Sequence, residues 1–398
     1  MDITLHPRKL AGDLTVIPSK SQAHRLLICA ALADGPTQLV CPQVSRDMEA
    51  TAQCLQALGA KIHRSPWGYT VVPIDQPTQM ALLPCRDSGS TLRFLLPVVG
   101  ALGCGGTFQL EGRLPMRPLS PLWEEMVRMG CTLTRPTSDT ICCQGRLRPG
   151  RYSLDGGISS QFITGMLLAA CQIPGETEIV ITGKVESKPY ITMTLQALEQ
   201  FGLDTKSFRF DKSKPLHSPG RVTVEGDWSN GAFFLAAQAL GSPIEVLGLS
   251  QSSCQGDRAV AGLLPQLHEN ITISARDIPD LIPILAVVAA CRQGAAFSDI
   301  QRLRLKESDR VASVVEMIRS LGGRAEATED TLQVWGTGLT GGTVHSHNDH
   351  RIAMAAAIAA TCCQEPVTIF TAESVEKSYP QFWEEYRRLG GYYEQYLR

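Results

Sequence analysis

Two hydrophobic patterns alternate along the chain. The first is a nearly continuous apolar run, found in AHRLLICAALA, STLRFLLPVVGAL, SSQFITGMLLAAC, NGAFFLAAQAL, IPDLIPILAVVAAC and HRIAMAAAIAA. These runs are rich in Ala and Leu and too long for ordinary strands, so they predict helices buried on all sides. The second is an amphipathic helical period that ends in an apolar residue and a glycine. It appears in CLQALGA, MVRMGCT, LEQFGLD, IRSLGGR and YRRLGGY, with a degenerate copy in LLPQLHENI. Gly59, Gly130, Gly202, Gly322 and Gly390 thus fall where a left-handed residue ends a helix. Short β-branched stretches such as TEIVITG and PVTIFTA lie between the two patterns, and every amphipathic copy except the last leads into strand-like residues. The predicted unit is strand, buried helix, strand, amphipathic helix, strand, strand, recurring six times. Pro97 and Pro283 fall inside two of the buried runs, where a proline costs about 3 kcal/mol unless the helix kinks or starts later.

A chain of 398 residues exceeds one ordinary core, which predicts two domains of roughly 200 residues with three units each. The fold class expected is α/β (α+β). With 43% hydrophobic and 19% charged residues the chain is too apolar for disorder. Its 37 Lys+Arg nearly balance 39 Asp+Glu, so no global field draws in nucleic acid or a membrane surface, and anion binding must be local. The longest apolar run, near Ile282 to Cys291, is far short of the roughly 20 residues of a membrane span, and Met1–Arg8 opens no signal-peptide core. A cytoplasmic protein is expected. Its thirteen cysteines are scattered, odd in number and without a CxxC pair, so reduced core thiols are expected. Cys142–Cys143 and Cys362–Cys363 are vicinal, a spacing unsuited to a metal tetrahedron.

The starts of the buried helices carry the chemistry. They read PSKSQAHR, RDSGSTLR, DGGISSQF and HNDHR, with Ser19 or Ser21 as the first cap and Lys20 and Arg25 beside it. A helix N-terminus offers unpaired N–H groups and a positive partial charge, so Ser, Gly and basic residues there suit an anion. Further cations recur in short loops: Arg113 and Arg117, Lys188, Lys306 and Arg310, and Lys377. Asp280, Glu307 and Asp349 lie among them as candidates for acid–base work. This pattern fits a small, highly charged anion, without the interleaved aromatics that nucleic acid would need. GTGLTG at Gly336–Gly341 precedes no helix pattern and reads as a loop, and a P-loop is absent. His345, His347 and His350 read as one functional His350 beside two surface histidines rather than a metal site.

In order along the chain, PSKSQAHR, SGSTLRF, GRLPMRP, DGGISSQF, ESKPY, VEGDWSNGAFF, IPD, LKESDR, NDHRIAM and EKSYP resemble the motifs of the 5-enolpyruvylshikimate-3-phosphate synthase family. The resemblance implies an inside-out α/β barrel architecture of two similar domains, each three βαβαββ repeats with buried parallel helices. It implies domain limits of 20–224 and of 1–19 with 225–398, with hinges near 18–20 and 224–226. The activity implied is transfer of the enolpyruvyl group of phosphoenolpyruvate to the 5-hydroxyl of shikimate 3-phosphate by addition and elimination, without metal or organic cofactor.

Carried over by position, the resemblance gives Lys20, Gly89, Arg117, Gln161, Arg310, Arg351 and Lys377 to phosphoenolpyruvate. It gives Lys20, Ser21, Arg25, Ser159, Ser160, Gln161, Ser187, Tyr190, Asp280 and Lys306 to shikimate 3-phosphate. Asp280, Glu307, Lys20 and His350 are the implied proton carriers. Both partners are small molecules, and a monomer is expected. Asp87, Phe94 and Arg302 depart from the Asn, Pro and Asn frequent in the family. The sister family that acts on a UDP-sugar typically carries Lys-Asn where this chain has Lys20-Ser21, and a cysteine in a loop that here reads EGRLPMRP. A catalytically inactive anion-binding relative is the remaining alternative.

Overall fold

Each buried helix begins where the sequence places polar residues, because an N-terminus entering an apolar core must satisfy its own orphan N–H groups. In the structure, a computed structural model that describes residues 1–396, Ser19, Ser88, Ser159, Asp227 and Asp349 cap helices Lys20–Leu32, Gly89–Leu102, Ser160–Ala170, Trp228–Ala239 and His350–Ala360 through their side-chain oxygens. Ser19, not Ser21, is the first cap. The sixth, Ile282–Cys291, has Pro283 in its first turn, so the proline sits where no intrahelical N–H is required. The last two residues of the expected C-terminal span lie outside the described residues.

Pro97 is different, since it lies inside helix Gly89–Leu102. Proline cannot bond the carbonyl four residues earlier, which here is Arg93. That carbonyl faces helix Ser160–Ala170 at Gly165, where a Cβ would lie 2.1 Å from the Arg93 oxygen and 3.1 Å from Pro97 Cγ. The two backbones therefore meet directly, and only glycine permits it.

The amphipathic helices end as their sequence predicts. Gly59, Gly130, Gly202, Gly322 and Gly390 all have positive φ, between 83° and 113°. The degenerate copy lacks such a glycine and breaks into a short α-helix, Val260–Leu263, and a 3-10 turn, Leu264–His268, with Pro265 as its second residue. One expectation fails. The final copy does lead into a strand, Tyr392–Tyr396, because the N-terminal strand Asp2–His6 offers it an antiparallel edge far away in sequence.

Four sheets share one order: two parallel strands, then two more added antiparallel. Ala81–Arg86, Gly106–Leu110, Thr140–Gly145 and Cys131–Thr134 form one; Ile271–Ser274, Ala295–Ser298, Thr331–Trp335 and Arg324–Ala327 form another. A third takes its first strand, Arg221–Thr223, from much later in the chain, and the fourth takes Asp2–His6 from the beginning. The remaining two are truncated. Gly150–Asp155 and Thr177–Thr182 add only the two-residue strand Arg209–Phe210, and Gly12–Thr15 with Ile244–Leu247 stop at the parallel pair. The six-fold unit of the sequence is thus complete in four copies and shortened in two, where no β-branched strand pair follows the amphipathic segment.

Contacts divide the chain into two compact units, Pro18–Val224 and Met1–Ile17 with Glu225–Arg398. Each holds its own apolar core around three buried helices and has three of the sheets. No helix among the described residues is long and apolar enough to cross a membrane.

Gly165→Ala should therefore destabilise the Pro18–Val224 unit by about 3 kcal/mol or more, since neither backbone can retreat. Gly262→Ala, whose added methyl meets nothing within 4 Å, should be neutral or stabilising by up to about 1 kcal/mol. Urea unfolding of both variants checks the pair.

Candidate active site

In the unit containing residues 225 onward, the LKESDR segment joins a 3-10 turn, Gln301–Leu305, to helix Arg310–Ser320, which Asp309 caps. Arg310 is thereby held at the helix start, with its side chain only 1% exposed. Its guanidinium gathers three carboxylates: Nη1 donates to Asp280 Oδ1 at 2.7 Å, Nη2 to Glu307 Oε2 at 2.7 Å, and Nε to Asp349 Oδ2 at 3.0 Å. Arg351, in the first turn of the last buried helix, donates to the other Asp280 oxygen at 3.0 Å. Lys306 Nζ lies 3.7 Å from Asp280 Oδ1. Three cations thus face three carboxylates in a buried network, an arrangement that fixes geometry better than it adds stability.

The charges set one another's protonation. Burial alone would raise the Asp280 carboxyl, but Arg351, Lys306 and Arg310 outweigh it and hold the acid well below its ordinary range. Burial also lowers the Lys306 ammonium to about 8, against the attraction of Asp280. Nearby, the Asp257 carboxyl is pushed up to about 7 by burial and the Asp280 charge, and it accepts a very short hydrogen bond from Ser229. His350 is buried, with Nδ1 4.0 Å from Asp349 Oδ1, and Lys377 Nζ donates to the Asn348 carbonyl at 2.9 Å. His345 and His347 instead stack on each other with ring centroids 4.6 Å apart, and His347 pairs with the exposed Glu316.

In the Pro18–Val224 unit, Lys20 Nζ pairs with Asp47 Oδ2 at 3.0 Å. Arg93 Nη1 donates to Gln161 Oε1 at 2.8 Å, and Gln161 Nε2 donates to Ser90 Oγ at 3.1 Å. Gly89 occupies the first turn of its helix because a Cβ there would lie 2.6 Å from Arg117 Nη1 and 2.9 Å from Arg93 Nη1. Two guanidinium groups therefore crowd one helix N-terminus, a concentration of positive charge suited to an anion. Ser159 caps the helix that begins at the buried Ser160, and the buried Ser187 holds φ 55°, an unusual conformation for a residue other than glycine.

Arg25 is buried, and protein acceptors take up its guanidinium: Nε donates to Thr194 Oγ1 at 2.8 Å, Nη2 to Thr164 Oγ1 and the Tyr190 carbonyl, both at 3.1 Å, and Nη1 to the Ser21 carbonyl at 2.5 Å. Phe94 lies under it, 5.0 Å from ring centroid to Cζ. The departure at this position thus supplies a cation–π surface. His24, edge-on to the same ring, bonds Thr51 Oγ1 at 2.7 Å. Burial, then repulsion from Lys20 and Arg25, lowers its pKa far enough to keep it neutral.

The structure thus brings Asp280, Lys306, Glu307, Arg310 and Arg351 into one network, and Gly89 and Arg117 into contact range in the other unit. Sequence reasoning passed over Asp47, Arg93 and Asp257. Arg93 stands inside SGSTLRF and was legible as a buried cation in an apolar run, whereas Asp47 and Asp257 sit in unremarkable segments.

Because the folded Lys306 binds its proton more weakly than the unfolded chain does, its burial penalises stability fully below about pH 8 and is relieved as pH rises toward the ordinary lysine value. Wild-type protein should therefore gain roughly 1–3 kcal/mol on Lys306→Met between about pH 8 and 10. Urea unfolding of both across that range checks the slope.

The family model described as EPSP synthase (3-phosphoshikimate 1-carboxyvinyltransferase) matches residues 5–386. A curated 3-phosphoshikimate 1-carboxyvinyltransferase of Clostridium beijerinckii is 34% identical, with 99% of each chain covered. That of Clostridium kluyveri is 36% identical, covering 98% of this chain and 97% of its own. In fold, the chain resembles an EPSP synthase from Acinetobacter baumannii with TM-score 0.79 at 24% identity, covering 99% of this chain and 100% of that one. It also resembles the enolpyruvyl transferase NikO from Streptomyces tendae, with TM-score 0.77 at 17% identity, covering 99% and 98%. Matched across nearly its whole length by the family model and by these relatives, the chain belongs to the EPSP synthase family, the 3-phosphoshikimate 1-carboxyvinyltransferases.

Proposed function

We propose that this chain transfers the enolpyruvyl group of phosphoenolpyruvate to the 5-hydroxyl of shikimate 3-phosphate, releasing phosphate, with the roles below. The observation that carries the assignment is the Asp280, Lys306, Glu307, Arg310 and Arg351 network in a member of this family. Arg310 and Arg351, already oriented by carboxylates, bind the phosphoenolpyruvate anion together with Lys20, Gly89, Arg117, Gln161 and Lys377. Ser21, Ser159, Ser160, Ser187 and Tyr190 contact shikimate 3-phosphate, with Lys306 as a cation. Arg25, oriented by Thr164, Tyr190 and Thr194, contacts shikimate 3-phosphate beside Ser21.

Glu307 delivers the proton to the methylene carbon, which makes C2 electrophilic. Lys20 is held by Asp47, and Asp280 is assigned as the acceptor for the 5-hydroxyl proton. A carboxylate held so low is a weak base, and it takes the proton as C–O bond formation acidifies the hydroxyl. Loss of phosphate and of one methyl proton completes the elimination. Both substrates are polyanions, and the fixed cations offset the cost of bringing them together. A cytoplasmic monomer is the expected working form.

Phosphate release should require both phosphoenolpyruvate and shikimate 3-phosphate. Comparable release with UDP-N-acetylglucosamine as acceptor would overturn the assignment.

Glu307→Gln keeps shape but removes the acid, so kcat should fall roughly a hundredfold or more while substrate dissociation constants stay within about threefold. In deuterated water the variant should also lose deuterium incorporation into the methylene of phosphoenolpyruvate. Exchange at the wild-type rate would move the proton role to Lys20 or His350.

A further inference from the structure

One imidazole and three hydroxyls in the Pro18–Val224 unit form a buried hydrogen-bonded chain that takes no part in the proposed chemistry. His24 Nδ1 lies 2.7 Å from Thr51 Oγ1, Thr51 Oγ1 lies 2.7 Å from Thr91 Oγ1, and the Thr91 hydroxyl donates to Ser88 Oγ at 2.7 Å. All four residues are buried. They join three helices, Lys20–Leu32, Arg46–Ala57 and Gly89–Leu102, the last of which Ser88 caps. A hydroxyl carries a single proton, so fixing one end of such a chain fixes every proton in it. Thr91 gives its proton to Ser88, with the Asp47 carbonyl as a longer second acceptor at 3.4 Å. Thr91 Oγ1 therefore accepts from Thr51, and Thr51 accepts from His24, which makes Nδ1 the protonated nitrogen. The other ring nitrogen agrees. His24 Nε2 is buried with no hydrogen-bond partner among the described residues, so a proton there would be a donor without an acceptor. Burial, with the charges of Lys20 and Arg25, disfavours a second proton on the ring.

We infer that His24, as the Nδ1–H tautomer, is a positioning residue for the phosphoenolpyruvate part of the site, acting through Thr51, Thr91 and Ser88. Both ends of the chain reach residues assigned to that substrate. At one end, Ser88 Oγ also accepts from the Thr91 N–H at 3.3 Å, and it thereby holds the helix start at Gly89, which Arg117 and Arg93 crowd. At the other, His24 stands about one helical turn beyond Lys20, whose partner Asp47 also offers its carbonyl to Thr91. The chain is thus a strut that sets the starts of two helices against each other through a third. Its positioning role rests on phosphoenolpyruvate being the anion held at Gly89 and Lys20, whereas the proton arrangement stands on geometry alone.

The tautomer is read first, on the full chain labelled with 15N and measured at pH 7 without substrates by long-range 1H–15N correlation. The His24 signals are those missing from His24→Asn. Hydrogen on Nδ1 with Nε2 bare is expected; the opposite tautomer, or a doubly protonated ring, would overturn the chain. Kinetics then test the positioning. Asn carries an amide nitrogen as far along the side chain as Nδ1, so His24→Asn should keep the phosphoenolpyruvate KM within about threefold of wild type. His24→Leu should raise that KM roughly tenfold, while the dissociation constant of shikimate 3-phosphate, measured alone, stays within about threefold. Thr51→Val should behave as His24→Leu does and Thr51→Ser as wild type does, which preserves the comparison should His24→Leu fail to fold. Equal phosphoenolpyruvate KM values in Thr51→Val and Thr51→Ser, or equal losses for both substrates, would overturn the positioning role. Wild type that released no phosphate with both substrates would overturn that role together with the enzymatic reading, whereas a wrong tautomer overturns the chain alone.

Discussion

A helix surrounded by apolar side chains can be polar only at its ends, and the rest of this molecule follows from that constraint. Each of the six buried helices must satisfy its first N–H groups without water along its sides. Five do so with a Ser or Asp cap, and the sixth places a proline in its first turn. The same ends are where cations and carboxylates are tolerated, so capping and chemistry fall on neighbouring residues. Asp349 illustrates the economy: it caps its helix through the Arg351 N–H and also receives Arg310.

That sharing explains why the ionic network is built around arginines rather than lysines. A guanidinium can face several acceptors at once in a fixed plane, and Arg310 meets three carboxylates while Arg25 meets four acceptors. Buried charges of this kind contribute little net stability, but removing one partner strands the others. The guanidinium groups of the cluster are thus oriented by the protein's own carboxylates, which is what binding a polyanion in a defined orientation requires. Lys306, more weakly held and with a depressed ammonium, is the adjustable member.

The close approach of helices at Gly165 and Arg93 belongs to the same logic. Pro97 removes a helical hydrogen bond from the Arg93 carbonyl, and a neighbouring glycine lets another backbone come up against it. Arg93 itself turns toward Gln161 and sits 5.6 Å from the Phe162 ring. The helix irregularity and the side chain that reaches Gln161 thus belong to one residue, Arg93.

Local order was enough to place the buried helices, the polar residues at their starts, the glycines that end the amphipathic helices and the family resemblance, because these depend on periodicity and on conformations that few residues can adopt. Pro283 and Gly390 were legible for that reason. It took the folded chain to show that Asp2–His6 completes a sheet with Val367–Phe370 and Tyr392–Tyr396, that two of the six sheets are cut short, and that Asp47 pairs with Lys20. The folded chain also shows that Arg25 is absorbed by Thr164, Thr194 and two carbonyls, and that Lys9 rests on Cys362. Strand pairing and ion pairing join residues tens to hundreds of positions apart, and their energies depend on distance and burial in space. Nothing in the local order of residues carries that information.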